Sequence, residues 1–271
     1  MKPRLTKIIL LALLFVSWAG IVFADVPDGQ LQSLFVQAND TFRQANSAGE
    51  PKRAKALYEK AILTYERIIN EGNIHNPRLY YNLANAYLLD DDIGRAILNY
   101  RRAEKLDSSN ADIQKNLNFA RGRRFDEVAV KTERRVLQTL FFWHYDFSLK
   151  IRMVFSCIFF GVLCLTATIM LWRKAEVVIK TTIFIATLLM VCFVTSTLIG
   201  ASQQANQLYG VITADEIIAR QGDGQNYEPS FKEPLHAGTE FDLIEQRPGW
   251  FHIELANGND TWIPRNYAEL I

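Results

Sequence analysis

The hydrophobic positions of the chain follow three patterns in succession. Up to about residue 124, apolar residues recur every three or four positions, which predicts amphipathic helices. Two continuous apolar runs follow, Met153 to Trp172 and Val177 to Ile199, each close to the roughly 20 residues of a membrane-spanning helix. Beyond Gln207 short alternating runs stand between turns, which predicts strands. We therefore predict a multidomain chain with an all-α unit, a two-helix transmembrane hairpin and an all-β unit.

The clearest helical pair lies between Pro77 and Asn110. Asn76 is positioned to cap the first helix, and Pro77 suits its first turn, where the missing N–H costs nothing. The acidic run from Asp90 to Asp92 marks the break between the helices. Small residues that let helices approach alternate with large ones on one stripe of the second helix, at Ala96, Tyr100 and Ala103.

Further helices are predicted on both sides of this pair. Residues 31–46 and 52–70 form two helical segments, and residues 111–124 form another. The spacing of Ala54, Tyr58 and Ala61 repeats that of Ala96, Tyr100 and Ala103, displaced by 42 residues. We interpret the first two segments as a divergent repeat with an insertion, and the last as a helix that covers the end of the array.

Residues 1–24 have the layout of a secretory signal peptide. Lys2, Arg4 and Lys7 precede an apolar run, and a small-residue cleavage context ends at Ala24. The run is also long enough for an uncleaved anchor, which stays as the alternative. In both interpretations the segment that follows is exported.

The two apolar runs predict an antiparallel hairpin at residues 151–200, because only Arg173 to Glu176 connect them. Export of the preceding segment would place this turn in the cytoplasm and return the C-terminal unit to the outside. The basic turn and Lys180 agree with the positive-inside rule. Lys150 and Arg152 do not, and we expect them to snorkel to lipid headgroups.

The chain is rich in Lys and Arg from Lys115 to Arg135, a basic segment that includes Arg121, Arg123 and Arg124 and leads into a juxtamembrane linker at residues 126–150. One interpretation is a solvated helix face with ion pairs. The other is a surface that attracts anionic lipid headgroups. Four aromatic residues stand where an interfacial belt would lie. These are Phe141, Phe142, Trp143 and Tyr145.

Composition narrows the functional classes. The formal net charge is +1, so there is no overall attraction to nucleic acid. All three cysteines lie within the apolar runs, so neither a disulfide framework nor a thiolate metal site is predicted. The glycines form no phosphate-binding motif, and the histidines are scattered. We predict no cofactor, no metal and no catalysis, and keep an enzyme of unrecognised type as a third hypothesis.

With Pro77 as position one, the helical pair resembles the tetratricopeptide repeat of about 34 residues. The residues on its signature positions are Tyr80, Leu83, Ala84, Tyr87, Ala96, Tyr100 and Ala103. The resemblance implies an all-α solenoid at residues 25–125 whose concave face binds an extended peptide or partner helix. The residues that match that face are Arg78, Tyr81, Asn85 and Leu88. The alternatives are an ordinary amphipathic hairpin and ordinary surface residues.

Residues 206–271 resemble the distal half of an SH3-like domain, which implies a small all-β barrel. The resemblance rests on a pair of aromatic residues, a glycine turn and the closing segment from Trp262 to Tyr267. In peptide-binding members of the family, the residues that match Trp250, Pro264 and Tyr267 line an apolar groove for proline-rich ligands. The opening of the domain is closer to the bacterial form. In the alternative interpretation Trp250 and Tyr267 are packing residues.

The order of these units resembles the BatE-type proteins of the Bacteroides aerotolerance operons. The resemblance implies a non-catalytic scaffold in the bacterial inner membrane, with both folded units in the periplasm. Its partners would be Bat-type membrane proteins with von Willebrand A-type domains and a MoxR-type ATPase, in an envelope complex linked to stress or oxygen tolerance. The alternative function is binding of peptidoglycan stem peptides through the SH3-like domain.

Overall fold

A computed structural model describes residues 29–128, 132–172 and 177–271. The predicted signal peptide at residues 1–24 lies outside the described residues, as does the basic turn from Arg173 to Glu176. Within the described ranges the chain forms a helical unit, a pair of long apolar helices and an antiparallel sheet unit. The predicted order of helical, apolar and strand segments is therefore confirmed.

In the described part of the chain, the helices are α1 (Gly29–Asn46), α2 (Pro51–Gly72), α3 (Pro77–Leu89), α4 (Ile93–Leu106), α5 (Ala111–Arg121), α6 (Thr132–Leu140), α7 (Phe142–Tyr145), α8 (Leu149–Trp172) and α9 (Val177–Asn206). The strands are β1 (Tyr209–Ile212), β2 (Glu216–Ile217), β3 (Leu235–His236), β4 (Glu240–Arg247), β5 (Trp250–Leu255), β6 (Asp260–Pro264) and β7 (Ala268–Leu270). A 3₁₀ turn at Arg265–Tyr267 precedes β7.

Short polar side chains begin three consecutive helices. Asn76 Oδ1 accepts hydrogen bonds from two backbone N–H groups in the first turn of α3, at 2.8 and 3.4 Å, which confirms the predicted cap. Asp92 caps α4 at 2.9 Å, and Asn110 caps α5 at 3.1 and 3.4 Å. Asp91, with φ of +68°, reverses the chain between α3 and α4.

Consecutive helices of the helical unit pack antiparallel. Tyr58 near the start of α2 contacts Asn46 at the end of α1, and Tyr65 further along α2 contacts Asn39. The core combines small residues, which let the helix axes approach, with tyrosines that fill the remaining space. Its fully buried members include Ala61, Ala84, Ala96, Tyr65 and Tyr100.

The two apolar helices, α8 and α9, pack antiparallel, with the rings of Phe155 and Phe193 stacked at 5.2 Å between centroids. Their spans Leu149–Met170 and Val177–Gln203 have mean hydropathies of 2.3 and 2.4 and are long and apolar enough to cross a membrane. The side chain of Arg152 turns towards α9. Its side chain is 6% exposed, because its guanidinium finds a backbone acceptor on α9.

The sheet unit has the strand order β6-β5-β4-β1-β7, and every neighbouring pair is antiparallel. Gly249 and Gly258, with φ of +81° and +80°, make the turns on either side of β5. Buried residues alternate along β5, so Phe251, Ile253 and Leu255 face the core. β2 and β3 form a separate two-stranded ladder.

The sheet unit packs directly against the helical unit. Val211 of β1 belongs to the hydrophobic core of the helical unit. A Cβ on Gly94 of α4 would lie 2.9 Å from the backbone oxygen of Ile212, and a Cβ on Gly238 would lie 2.9 Å from Ile97 Cδ1. Both glycines therefore stand where the two units come too close for a side chain.

Candidate functional site

Asparagine side chains form a row across helices α1, α3 and α5. The members of this asparagine row are Asn39, Asn82, Asn85 and Asn116. Asn82 Nδ2 donates to Asn39 Oδ1 at 2.8 Å, and Asn116 Nδ2 donates to Asn85 Oδ1 at 2.9 Å. All four residues are partly exposed, so the row presents amide groups at the surface of the helical unit.

Tyrosine hydroxyls from the helical core hold the asparagine row in position. Tyr65 donates to Asn39 Oδ1 at 2.7 Å, and Tyr100 donates to Asn85 Oδ1. Burial raises the pKa of both tyrosines well above the usual value, so their hydroxyls stay protonated and act as donors at ordinary pH. Turning either amide away would leave a buried hydroxyl unpaired, which costs about 1–3 kcal/mol.

The four residues predicted for the concave face have different surroundings. Arg78 is exposed at the start of α3, whereas Tyr81 and Asn85 are partly exposed. Asn116 Nδ2 donates to Tyr81 OH at 3.0 Å, so Tyr81 joins Asn85 in the asparagine row. Leu88 is 7% exposed and packs in the core of the helical unit, so its side chain cannot contact a partner.

Sequence reasoning missed Asn39, Asn82 and Asn116. Asn82 and Asn116 lie 34 residues apart, and so do the helix caps Asn76 and Asn110. A search for residues six positions after each cap would have found both. Asn39 has no such marker, because the chain between α1 and α3 is longer than one repeat.

Trp250 and Pro264 lie directly opposite each other on β5 and β6, and both are partly exposed. The structure thus brings together two of the three predicted groove residues on one face of the sheet. Tyr267 lies on the 3₁₀ turn, where its backbone oxygen accepts a hydrogen bond from the N–H of Thr213 at 2.9 Å. Its side chain is 41% exposed.

Trp262 shares this face and was missed as a candidate. Its ring stacks on His252 with 4.6 Å between centroids and an interplanar angle of 2°, and the guanidinium of Arg247 lies 4.7 Å from its centroid. We call Trp250, His252, Trp262 and Pro264 the outer aromatic face. Side chains two positions apart on a strand lie on the same face. Trp262 lies two residues before Pro264, so the prediction of Pro264 could have been extended to Trp262.

Glu240 is the carboxylate with the most ion-pair partners between the helical and sheet units in the described part of the chain. Glu240 of β4 accepts two hydrogen bonds from Arg121, at 2.7 and 2.8 Å, and lies 3.2 Å from Arg101 and 3.4 Å from Arg124. Burial alone would raise the pKa of Glu240. The hydrogen bonds from Arg121 and the charges of Arg121, Arg101 and Arg124 outweigh burial and lower the pKa. Glu240 is therefore ionised at neutral pH and ties β4 to the helical unit.

Asp126 makes the second connection, from the helical side. It accepts hydrogen bonds from the backbone N–H of His236 at 2.7 Å and from the Thr239 hydroxyl at 2.6 Å, and the ring of His236 lies 2.8 Å away. Burial alone would raise the pKa of Asp126, but these hydrogen bonds lower it. The first residue of the predicted linker is thus part of the folded structure.

These contacts decide between the two interpretations of the basic segment at its N-terminal end. Arg121 and Arg124 are directed at Glu240, and Arg123 pairs with Asp91 at 2.7 Å. The three arginines therefore form ion pairs within the protein, and are not a surface for lipid headgroups. The sequence does not reveal Glu240 as the partner, because 119 residues separate it from Arg121.

The described residues were predicted to hold no metal site. Among them, no group of three or more His, Cys, Asp or Glu side chains is arranged to hold a metal ion. His236 and His252 each contact one carboxylate, Asp126 at 2.8 Å and Asp260 at 2.9 Å. The first pair belongs to the contact between the units, and the second adjoins the outer aromatic face.

No family model matches the chain, and no curated protein matches it.

Proposed function

We propose that this protein is a non-catalytic, membrane-anchored adaptor that presents its helical and sheet units to protein partners. The observation that carries the proposal is the asparagine row. Side-chain amides both donate and accept hydrogen bonds, and so complement the backbone of an extended peptide. Tyr65 and Tyr100 hold the amides before a partner arrives, which lowers the entropic cost of binding.

The helical unit is proposed to be a tetratricopeptide-repeat array. The 34-residue spacing of the caps Asn76 and Asn110, and of Asn82 and Asn116, supports a repeat of the expected length. In this proposal α3 and α4 form the regular repeat, α1 and α2 the divergent one, and α5 the terminal helix. A concave surface on the first helices of such pairs suits an extended peptide.

Helices α8 and α9 are proposed to insert in the bacterial inner membrane as a hairpin. The helical unit precedes the hairpin and the sheet unit follows it, yet Arg121 contacts Glu240 and Asp126 contacts His236. Units in contact lie on the same side of a membrane, which requires an even number of crossings. Two spans meet this requirement, and the proposed export signal assigns both units to the periplasm.

The sheet unit is proposed to be an SH3-like domain of the bacterial form, with Trp250, Pro264 and Tyr267 as groove residues. A second candidate function, binding of peptidoglycan stem peptides, is favoured by the outer aromatic face. Trp250 is partly exposed and offers flat apolar surface beside Pro264, which suits the apolar part of such a peptide.

The order of the proposed units supports membership of the BatE-type proteins. The partners would then be Bat-type membrane proteins and an associated MoxR-type ATPase, in an envelope complex linked to stress or oxygen tolerance. No nucleic acid and no cofactor enter this proposal.

In-cell photocrosslinking of the full chain tests the adaptor function. We expect a crosslinker at Arg78, exposed at the start of α3, to capture a membrane protein with a von Willebrand A-type domain. Asn82→Ala should reduce that capture about tenfold, since it removes hydrogen bonds to the partner backbone. A crosslinker at Arg53, an exposed arginine on α2, is the matched control. Equal capture from both positions, unaffected by Asn82→Ala, would contradict the proposed surface.

A pelleting assay tests the second candidate. The full chain in detergent micelles is mixed with purified peptidoglycan, and bound protein is measured after centrifugation. If the outer aromatic face binds stem peptides, Trp250→Ala should lose binding and Tyr227→Ala, which removes an exposed aromatic ring outside this face, should keep it. Failure of the unmodified chain to pellet would remove this candidate.

A further inference from the structure

Arg152 lies near the start of α8 and turns its guanidinium into the contact between the two apolar helices. Its side chain is 6% exposed. Nη1 donates to the backbone oxygen of Ser196 at 2.7 Å, and lies 3.1 Å from the Ser196 hydroxyl and 3.0 Å from His144 Nδ1. Arg152 therefore ties α8 to α9 at one end of the pair.

Gly200 of α9 provides the space for this arrangement. A Cβ at this position would lie 2.7 Å from Nη2 and 2.8 Å from Nη1 of Arg152. Any side chain here would displace the guanidinium or push the two helices apart. The bare backbone of Gly200 thus forms a slot in which the planar guanidinium lies.

In the described part of the chain, the groups that contact the Arg152 guanidinium are neutral, and its Nε has no hydrogen-bond partner. Burial and the neighbouring charge of Arg152 lower the pKa of His144, so this ring stays neutral as well. A buried guanidinium without an anion is costly, above all at the edge of an apolar span. The group formed by Arg152, Ser196 and His144, here called the Arg152 cluster, therefore carries one positive charge that needs an anion.

A cavity of about 930 Å³ opens beside Arg152, between the apolar helices and the helical unit. Basic side chains line it from both sides: Lys150 and Arg152 on α8, Arg101 and Lys105 on α4. Three carboxylates also line it, namely Glu104, Asp107 and Asp146, and Glu104 is paired with Arg101. The part of the cavity next to α8 keeps an excess of positive charge.

A shallow apolar groove of about 400 Å³, lined by residues of α8 alone, runs along this helix from the same place. It shares Lys150 with the larger cavity, and its other lining residues are Met153, Val154, Cys157 and Ile158. A basic end that leads into an apolar groove matches an amphiphile with an anionic head and a hydrocarbon chain.

We infer that Arg152 and Lys150 bind the phosphate of an anionic phospholipid whose acyl chain lies in the groove along α8. The phosphodiester supplies the negative charge that the Arg152 cluster lacks, and it accepts charge-assisted hydrogen bonds from guanidinium and ammonium groups. The inference rests on the proposed membrane insertion of α8 and α9. The bound lipid sets the height of the helical unit above the membrane, because the cavity lies between the two.

Native mass spectrometry of the full chain in detergent micelles tests this site. Phosphatidylglycerol is the probe; diacylglycerol with the same acyl chains lacks the phosphate, and inorganic phosphate lacks the chains. We expect phosphatidylglycerol to bind and Arg152→Gln to weaken it about tenfold, as for the loss of one charge-assisted hydrogen bond. Lys180→Gln, which removes a basic residue at the other end of the pair, is the matched control and should bind like the unmodified chain.

Two outcomes would overturn the inference. If neither Arg152→Gln nor Lys150→Gln lowers the affinity for phosphatidylglycerol, the proposed site is wrong. Lys150→Gln keeps this test valid if Arg152→Gln disturbs the helix pair. If inorganic phosphate at equal concentration displaces the lipid, the basic residues bind free phosphate and not a phospholipid. Alkaline extraction of membranes separates this failure from that of the proposed anchor, since a chain that is not membrane-inserted is released into the supernatant.

Discussion

Replacing Glu240 by Gln tests whether the helical and sheet units form one body. The change keeps the shape of the side chain and removes the charge that faces Arg121, Arg101 and Arg124. Removing one partner of a buried ion pair costs about 3–5 kcal/mol. The side chains of Glu240 and the arginines are 20–30% exposed, so water relieves part of the loss and we expect about 3 kcal/mol. This corresponds to roughly a 100-fold shift towards separated units.

Limited trypsin digestion of the full chain in micelles measures this shift. The end of α5 and the segment after it contain Arg121, Arg123 and Arg124, and the contact between the units holds them in place. When opening is fast, the rate of cleavage follows the population of the open form, so Glu240→Gln should be cut there about 100-fold faster.

Glu245→Gln is the matched control. It lies on the same strand, and its side chain is 46% exposed in a surface pair with Arg247. Exposed pairs contribute about 1 kcal/mol or less, so we expect little change. Equal cleavage rates in Glu240→Gln and Glu245→Gln would refute the assignment of Glu240 as the connection between the units.

Three further predictions use the same contacts. Tyr100→Phe removes the hydroxyl that holds Asn85 and should lower the free energy of unfolding by about 1 kcal/mol in denaturant titrations. Acid should separate the units: docking lowers the pKa of Glu240 and Asp126 below 4.5 and 3.8, so their stabilisation is complete above about pH 4.5 and is lost as the pH falls further. The distance between genetically encoded spin labels on the two units measures this loss. Gly238→Ala should destabilise by about 2 kcal/mol, because its φ is +88° and Ile97 Cδ1 lies 2.9 Å from the added Cβ.

Each of these has an internal control. Tyr227→Phe removes a hydroxyl from an exposed tyrosine and should leave unfolding unchanged. In the acid experiment, Glu240→Gln should flatten part of the pH dependence, and an unchanged profile would contradict the role of Glu240. Gly249→Ala has the same backbone strain, with φ of +81°, but nothing within 4 Å of the added Cβ. If it is as destabilising as Gly238→Ala, tight packing between the units is not the cause.

Local patterns predicted the helices well because their determinants are close in sequence. The cap at Asn76, the break after Leu89 and the start of α2 at Pro51 all depend on side chains that bond to or restrict backbone within one turn. Strand prediction was less complete. β5 has the alternation of buried and exposed residues that marks a strand locally, whereas β7 is three residues long and is defined by its pairing with β1, more than fifty residues earlier.

The candidate surfaces were predicted only in part, for the same reason. Trp250 and Pro264 were predicted from the SH3-like resemblance, and the single turn between β5 and β6 places them opposite each other. Three of the four members of the asparagine row escaped detection, because its hydrogen bonds join residues 31 and 43 positions apart. An exposed-looking Asn in a helix has no local feature that marks a buried tyrosine as its partner.

The sequence by itself determined the succession of helical, apolar and alternating segments, since each depends on periodicity and composition within some twenty residues. Only the tertiary structure decided that the units before and after the apolar helices contact each other. Glu240, Asp126 and Arg152 carry this information, because each is a charged residue whose burial depends on partners brought close by folding. Those partners set the free-energy cost of burying the charge. This cost therefore cannot be predicted from the residue itself or from its neighbours in sequence.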